Sequence, residues 1–255
     1  MKVLLVSDVH GAFQALEKVA QRGEPLLILG DLINLLDYRT HEGIIADVLG
    51  REFGGEVAGH RAAGNYAAMR QAWTDVVGSR RAEVRAAIQT GVSAEYEKCG
   101  AALYGAVGFC TYGNVDHPEI LRAHLPPAMR FVDGEAVEIG GRSFGFVGGG
   151  IATPMAGAGE VSDEEMEAKL AAIGPVDVLC SHLPPAVEQL CTDVITGRQE
   201  RSSQPILDYI RRHRPHRHFY GDVHQPQASH WRVGPTTCQN VGYFRATRRP
   251  VEYEW

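Results

Sequence analysis

The 255-residue sequence predicts a mixed α/β (α+β) fold. Three observations point there. Five short apolar runs each end in a polar loop, a helical stretch separates the second from the third, and alternating β-type segments close the chain. Hydrophobic residues at 44% and charged residues at 22% sit near the ordinary globular balance, which excludes wholesale disorder and allows an ample core.

The elements follow in order. Residues 3–6 (VLLV) read as a buried strand, and residues 13–22 as a helix stopped by Gly23. Residues 26–29 (LLIL) form the second run and end at Gly30-Asp31. The third, 106–111, ends in Tyr-Gly-Asn-Val-Asp; the fourth, 176–180, in Ser-His; the fifth, 217–220, in Gly-Asp-Val-His. At about 37–104 the pattern is helical. There Val84, Ile88, Val92, Tyr96, Cys99 and Leu103 recur at spacings of three and four as one apolar stripe. Such a stripe reads first as a helix packed on the body of one domain spanning 1–255, and second as a lid or homodimer surface. Residues 131–139 and 143–147 alternate around Gly140-Gly141 as a hairpin, and 228–233, 236–240 and 251–255 add further strands. Residues 148–159 (GGGIATPMAGAG) lack the Gly-Lys-Ser/Thr ending of a Walker phosphate loop and read as a mobile loop beside the active edge.

Other classes are disfavoured. A formal charge of −6 argues against a general nucleic-acid or membrane-surface binder, while leaving open a basic patch on one face. The opening MKVLLVSDVH has an apolar run too short for a signal-peptide core or a membrane span. Five cysteines with no CxxC pair suit neither a disulfide framework nor a zinc finger, so a cytoplasmic chain with reduced thiols is expected. The dense basic run at 211–218 reads first as a solvated helix C-terminus whose cations complement the dipole, with Arg201-Ser202-Ser203 near its start as a cap. Recruitment of a phosphate-rich substrate is its functional reading.

The polar strand ends are Asp8 and His10, Asp31, Asn114, His182, then Asp222 and His224. Taken singly, each is more often a turn or a cap than a ligand. Five in series are harder to attribute to accident. In open α/β sheets, ligands bind beyond the carboxyl ends of strands, where residues distant in sequence converge. Carboxylate oxygens, imidazole nitrogens and an amide oxygen suit Mn²⁺, Fe or Zn²⁺, with no thiolate to favour a soft ion. A shared carboxylate can hold two such ions about 3.5–4 Å apart, and water between them becomes a hydroxide nucleophile near neutral pH. No serine or cysteine nucleophile is then needed.

"DVH" at 8–10, "GD" at 30–31, "GNVD" at 113–116, "SH" at 181–182 and "GDVH" at 221–224 resemble the five blocks of calcineurin-like metallophosphoesterases. The resemblance covers nearly the whole chain and is nearest the small bacterial phosphodiesterases whose third block reads Gly-Asn-X-Asp. "QNVG" at 239–242 is similar to the Asn-Pro-Gly segment that follows the last block there. It implies a four-layer αββα sandwich with a helical insertion, and two divalent or mixed-valence metal ions, Mn first with Fe or Zn as alternatives. Asp8, His10 and His224 would hold the first metal, Asp31 would bridge, and Asn114, His182 and position 222 would hold the second.

Two departures matter. The family's last block is usually Gly-His-X-His, and here the first His is Asp222. A carboxylate still ligates, but its added charge strengthens cation binding, reduces the pair's pull on an anionic phosphate and favours a harder ion. The alternative is that Asp222 only caps the turn. Val115 stands where many phosphatases of the family carry a His that resembles a general acid, and valine donates no proton. His117 is the candidate substitute and substrate contact, although before Pro118 it also reads as a surface residue. Asp116, with Asn114 a catalytic candidate, reads more readily as orienting the Asn114 loop.

The leading expectation is a metal-dependent phosphoesterase that hydrolyses a small phosphodiester by in-line attack, with Asn114 and His182 also meeting the substrate. The alternatives are a phosphomonoesterase acting on a nucleotide or small metabolite, and a non-catalytic metal-binding scaffold on the same fold.

Overall fold

The computed structural model describes residues 1–195 and 197–255. In chain order the elements are β1 (Lys2–Val6), α1 (Phe13–Ala20), β2 (Leu26–Leu29), then α2 (Ile44–Leu49), α3 (Arg51–Ala62) and α4 (Tyr66–Val77). A 3-10 turn (Gly78–Arg80) leads into α5 (Arg81–Ala102), β3 (Gly108–Thr111), α6 (Pro118–His124), β4 (Met129–Phe131), β5 (Glu135–Ile139) and β6 (Arg142–Val147). There follow β7 (Gly150–Ile151), β8 (Glu160–Val161), α7 (Asp163–Ile173), β9 (Val178–Ser181), α8 (Glu188–Cys191) and α9 (Gln204–His213). The chain closes through β10 (Arg217–Tyr220), β11 (His230–Val233), β12 (Thr236–Asn240), α10 (Phe244–Thr247) and β13 (Val251–Glu254).

Two sheets stack face to face, ordered β13-β1-β2-β3-β4 and β11-β12-β10-β9-β6-β5. Their inner strands run parallel, whereas β13, β5 and β11 pair antiparallel at the margins. Parallel strands covered on both faces must be apolar almost throughout, which explains VLLV and LLIL. Alternation then divides each strand between two cores. Leu4, Val6, Leu26 and Ile28 face α1, α5 and α6 with Leu16, Val92, Tyr96 and Leu121. Val3, Leu5, Leu27 and Leu29 face Phe144, Phe146, Val178 and Phe219 between the sheets. On the far face of the second sheet, α7 and α9 bury Met166, Leu170, Ile206 and Ile210. Each such side chain contributes about 1.5–3 kcal/mol of burial against chain entropy. The result is the four-layer αββα sandwich that the resemblance implied.

Some boundaries move, for physical reasons. The first helix ends at Ala20, capped by Gln21, before Gly23 takes φ +86°. The 131–139 run is split: Phe131 closes β4 in one sheet, Gly134 turns at φ +62°, and β5 begins in the other. The expected hairpin forms as β5–β6, with Ile139 opposite Arg142. The 148–159 stretch, expected as a loop, contains β7, which pairs with β8. The apolar stripe lies on α5 and enters the first core through Val92, Tyr96, Cys99 and Leu103. Among the described residues no helix is long and apolar enough to cross a membrane, and all five cysteines are free and buried.

The basic run divides. Ser203 caps α9, its Oγ accepting from Ile206 N at 3.3 Å, and Arg211, Arg212 and Arg214 are exposed at the far end. Arg217 and His216 line a groove of about 470 Å³ with Arg142, Arg232, Tyr253 and Trp255. That groove lies at the start of β10, and the Asp222 loop at its end, about 13 Å away along the strand. His218, by contrast, is fully buried. Its Nε2 stands 2.7 Å from Ser181 Oγ, which itself donates to the Leu183 carbonyl.

Burial holds the His218 pKa down to about 3. A histidine depressed below its unfolded value contributes stability fully above pH 6.5 and loses it progressively as pH falls toward 3. About 2 kcal/mol of stability is therefore expected to disappear from this residue between pH 7 and pH 5. Denaturant titrations of wild type and His218→Gln over that range check it: equal slopes against pH would refute the assignment.

Candidate metal centre

The polar strand ends meet at one edge of the sandwich. Backbone hydrogen bonds lace the loop after β1 to the loop after β2: Asp8 N to Gly30 O at 3.0 Å, His10 N to Asp31 O at 3.0 Å, and Gly11 N to Leu32 O at 2.9 Å. The loop after β10 joins them, with Asp222 N donating to Asp8 Oδ2 at 3.1 Å. Among the described residues, eight other than glycine have positive φ, and four of these are Asp8, His10, Asp31 and Asp222. Left-handed backbone at a non-glycine residue costs free energy and persists where surrounding structure imposes it, often at functional sites. Its concentration on four of the seven expected ligands marks this edge as built for side-chain convergence. The glycines opening "GNVD" and "GDVH" serve the same end. A Cβ on Gly113 would overlap Asp31 Oδ1 and crowd His182, and one on Gly221 would overlap Ser7 Oγ.

Asp8, His10 and His224 offer one group of donor atoms, and Asp8, Asp31 and His182 another, each within 4.8 Å. His224 Nε2 is 3.3 Å and His10 Nε2 is 3.8 Å from Asp8 Oδ1. Asp31 divides its oxygens: Oδ2 lies 3.6 Å from His10 Nε2, and Oδ1 lies 3.5 Å from His182 Nε2. Asp222 Oδ1 stands 3.6 Å from His182 Nε2 on that second side. Donors around one ion at about 2.1 Å stand about 3–4 Å apart, so these spacings suit coordination.

The protonation pattern supports the same conclusion. His182 Nδ1 faces the Leu29 carbonyl at 2.9 Å and His10 Nδ1 faces the Ile33 carbonyl at 3.3 Å. A carbonyl only accepts, so each neutral ring carries its proton on Nδ1 and turns a bare Nε2 inward, as metal-bound histidines do. Asn114 Oδ1 lies 3.2 Å from His182 Nε2, 3.2 Å from Asp222 Oδ1 and 3.3 Å from Asp31 Oδ2. The two carboxylate oxygens repel it unless the amide is reversed or a cation lies among them. Without a cation, burial opposes charge on His182, but Asp31, Asp222 and Asp8 outweigh it, raise its pKa and favour a proton on its Nε2. Asp8 Oδ1 and His10 Nε2 are also buried without a hydrogen-bond partner of good geometry. A cation answers all of these features, and the donor set fits one.

Electrostatics agree. Burial, aided by the Asp8, Asp116 and Asp222 charges and opposed by His182, pushes the Asp31 carboxyl well up. Burial works in the same sense on Asp8, but the hydrogen bond and charge of His224, with His182 and His10, hold it below the usual range. Desolvation takes His10 down to about 4, leaving it neutral and ready to ligate. A buried cluster with this much like charge favours a bound cation.

The remaining candidates lie apart. Asp116 is 1% exposed and accepts from Asp31 N (2.8 Å), Gly113 N (2.9 Å), Tyr96 Oη (2.9 Å) and Leu32 N (3.1 Å). Four donors saturate it, which suits a brace between the second and third loops. His117 precedes Pro118 at the start of α6; its N–H donates to Tyr96 Oη at 2.8 Å, and its ring joins neither donor group. Sequence reading missed two contributors. Tyr96 counted only as a stripe residue, though its hydroxyl ties α5 to this loop. Tyr243 stacks on His224 at 3.9 Å and 4°, and carries no sequence signal because the α10 turn alone brings it there. Asn240 of "QNVG" is buried and donates to Val223 O at 2.9 Å, bracing the last loop.

Fold and cluster together define an αββα-sandwich protein with a buried Asp/His cluster able to hold metal, a site compatible with a metal-dependent hydrolase. No protein-family model and no curated protein matches the chain. Among solved structures it is similar to the crystal structure of TT1561 of Thermus thermophilus, with 15% identity and a TM-score of 0.55 over 99% of this chain and 98% of that one. That likeness is one of fold.

Proposed function

We propose that the chain is a dinuclear metal-dependent phosphoesterase with a preference for phosphodiesters. The observation that carries this reading is Asp31, which turns one oxygen to the His10 side and the other to the His182 side. Two divalent cations held there would supply Lewis acidity toward a phosphoryl oxygen and lower the pKa of water toward neutrality. The carboxylate-rich second side, with Asp31, Asp222 and Asn114, favours Mn or Fe over softer ions.

The chain's own residues do the rest. Asp8, His10 and His224 would hold one cation, and His182, Asp222 and Asn114 the other, with Asp31 between them. Leu29 and Ile33 carbonyls fix the imidazole tautomers. Asn114 stands where it can also orient an equatorial phosphoryl oxygen. Two features favour a diester. Val115 gives the position after Asn114 no proton to deliver, and Asp222 adds a negative charge that penalises a dianionic monoester more than a monoanionic diester.

Protein purified without chelator should carry close to two metal ions per chain, and the Mn²⁺-loaded form should hydrolyse an aryl diester faster than an aryl monoester. A strong monoester preference would make the enzyme a phosphomonoesterase. Failure to retain metal after Mn²⁺ or Fe loading would leave a scaffold. Asp222→His is expected to keep metal and raise the monoester-to-diester rate ratio severalfold, since histidine tolerates the φ of +66° there. A large loss of activity with the fold intact would mean Asp222 has a role that ligation does not explain.

A further inference from the structure

Of the three histidines at the metal-facing edge, two are fixed by backbone and the third is not. His10 and His182 each turn Nδ1 to a carbonyl, Ile33 O at 3.3 Å and Leu29 O at 2.9 Å. His224 has no such acceptor among the described residues; its polar contact is Asp8 Oδ1, 3.3 Å from Nε2. Its side chain is also the most open of the three, 31% exposed against 12% for His10 and 0% for His182. A ligand histidine normally gives its other ring nitrogen to an acceptor, which fixes the ring and raises affinity for the ion. At His224 an aromatic ring takes that place.

Tyr243 lies flat against it. The ring centroids are 3.9 Å apart and the planes 4° from parallel. Tyr243 also meets His10 in an edge-to-face arrangement at 5.9 Å and 73°, and His10 meets His224 at 5.3 Å and 77°. One side chain thus touches both imidazoles of the Asp8, His10 and His224 group. Backbone anchors it on either side: Gly242 N donates to Asn240 Oδ1 at 2.6 Å, and Phe244 N to Ser7 O at 3.1 Å. Arg245 N donates to Asp8 O at 3.0 Å, and its guanidinium pairs with Asp37 at 3.2 Å. Phe244 is 1% exposed and sits in the first core. The tyrosine platform therefore belongs to the same backbone network as Asp8.

Ordinary packing does not account for this geometry. Two electron-rich faces repel in full overlap, so aromatic pairs settle offset or edge to face with centroids about 4.5–7 Å apart. An imidazole that has given its lone pair to a cation is electron-poor, and a phenol face attracts it as it attracts other cations. The close parallel stack suits a bound imidazole better than a free one. Among the described residues the Tyr243 hydroxyl has no hydrogen-bond partner, so the ring carries the contact. Resting on the dinuclear reading of the site, though not on the reaction, we infer that Tyr243 is a positioning residue. It holds the His224 imidazole in its ligating orientation and thereby sets the affinity for the cation on the Asp8, His10 and His224 side.

The test uses full-length, chelator-stripped wild type, Tyr243→Phe, Tyr243→Leu, His224→Ala, and the variant that combines His224→Ala with Tyr243→Leu. Mn²⁺ binding is followed by calorimetry, and spin coupling between bound ions by electron paramagnetic resonance. Tyr243→Leu should weaken one Mn²⁺ site about tenfold and leave the other within about twofold. At two equivalents of Mn²⁺ its coupled signal should give way to that of an isolated ion. Tyr243→Phe keeps the ring and should bind as wild type does. In the His224→Ala background Tyr243→Leu should change nothing further, because its effect passes through His224. Wild-type affinity in Tyr243→Leu, or a further loss in the His224→Ala background, overturns the inference and leaves the metal centre standing. Equal weakening of both sites does the same, since Tyr243 would then be a general support of the loops. Equal losses in Tyr243→Phe and Tyr243→Leu also overturn it, because the hydroxyl would be the working part. If Tyr243→Leu does not fold, Tyr243→Gln replaces it in every comparison. A wild-type chain that takes up no Mn²⁺ overturns the inference and the metal centre together.

Discussion

Asp31→Asn should cut the proposed phosphoesterase activity about a thousandfold or more, on the order of 4 kcal/mol of transition-state stabilisation. The substitution keeps size and leaves an oxygen for Val115 N, which now donates to Asp31 Oδ1 at 3.1 Å. It removes the carboxylate whose two oxygens face the His10 and His182 sides, and turns an amide NH₂ toward a position where an acceptor is needed. On the proposed dinuclear reading, bound metal should fall from two ions per chain to one or fewer. The same variant should melt higher than wild type when both are stripped with chelator. Metal-free wild type holds Asp31 buried among Asp8, Asp116 and Asp222, a repulsion the amide relieves by about 1–3 kcal/mol. Opposite signs for activity and apoprotein stability would show that the cluster is arranged for a cation. A lower melting temperature in the stripped variant would contradict the electrostatic account.

Asp116→Asn should damage stability first. The carboxylate accepts from three backbone N–H groups and the Tyr96 hydroxyl in a fully desolvated site. An amide in its place sets a donor against a donor and strands at least one buried N–H, costing about 2–3 kcal/mol. Because Asp31 N and Gly113 N are among the donors, the loops carrying Asp31 and Asn114 should loosen together, so metal affinity falls alongside stability. Denaturant unfolding and metal retention measured on the same preparations check this. A general acid would behave differently: stability would hold, activity would fall, and the basic limb of the pH–rate profile would flatten.

The two aspartates of the "GNVD" and "GDVH" blocks show why some roles can be read from sequence and others cannot. That Asp116 and Asp222 stand after apolar strands is visible in the residue order. That Asp116 is enclosed by four donors depends on Tyr96, twenty residues upstream on a helix whose stripe signals only packing. That Asp222 faces His182 depends on parallel pairing of β10 with β9, which sets both strand ends at one level. The same pairing separates Arg217 and His216, at the start of β10, from the centre at its end. It turns His218 into the core, although all three belong to one basic run.

By itself, the sequence determined the alternating apolar strands, the helical stretch between the second and third of them, and the seven side chains standing at strand ends. Apolar periodicity and turn chemistry are local properties, so they are legible in order along the chain. Only the tertiary structure decided that Asp31 would divide its oxygens between two groups, that Asp116 would be enclosed by four donors, and that Tyr243 would stack on His224. Those arrangements depend on sheet register, on left-handed backbone at Asp8, His10, Asp31 and Asp222, and on close approach between residues from opposite ends of the chain, such as Asp8 and His224. Such approaches are set by packing the whole molecule, and no stretch of sequence carries them alone.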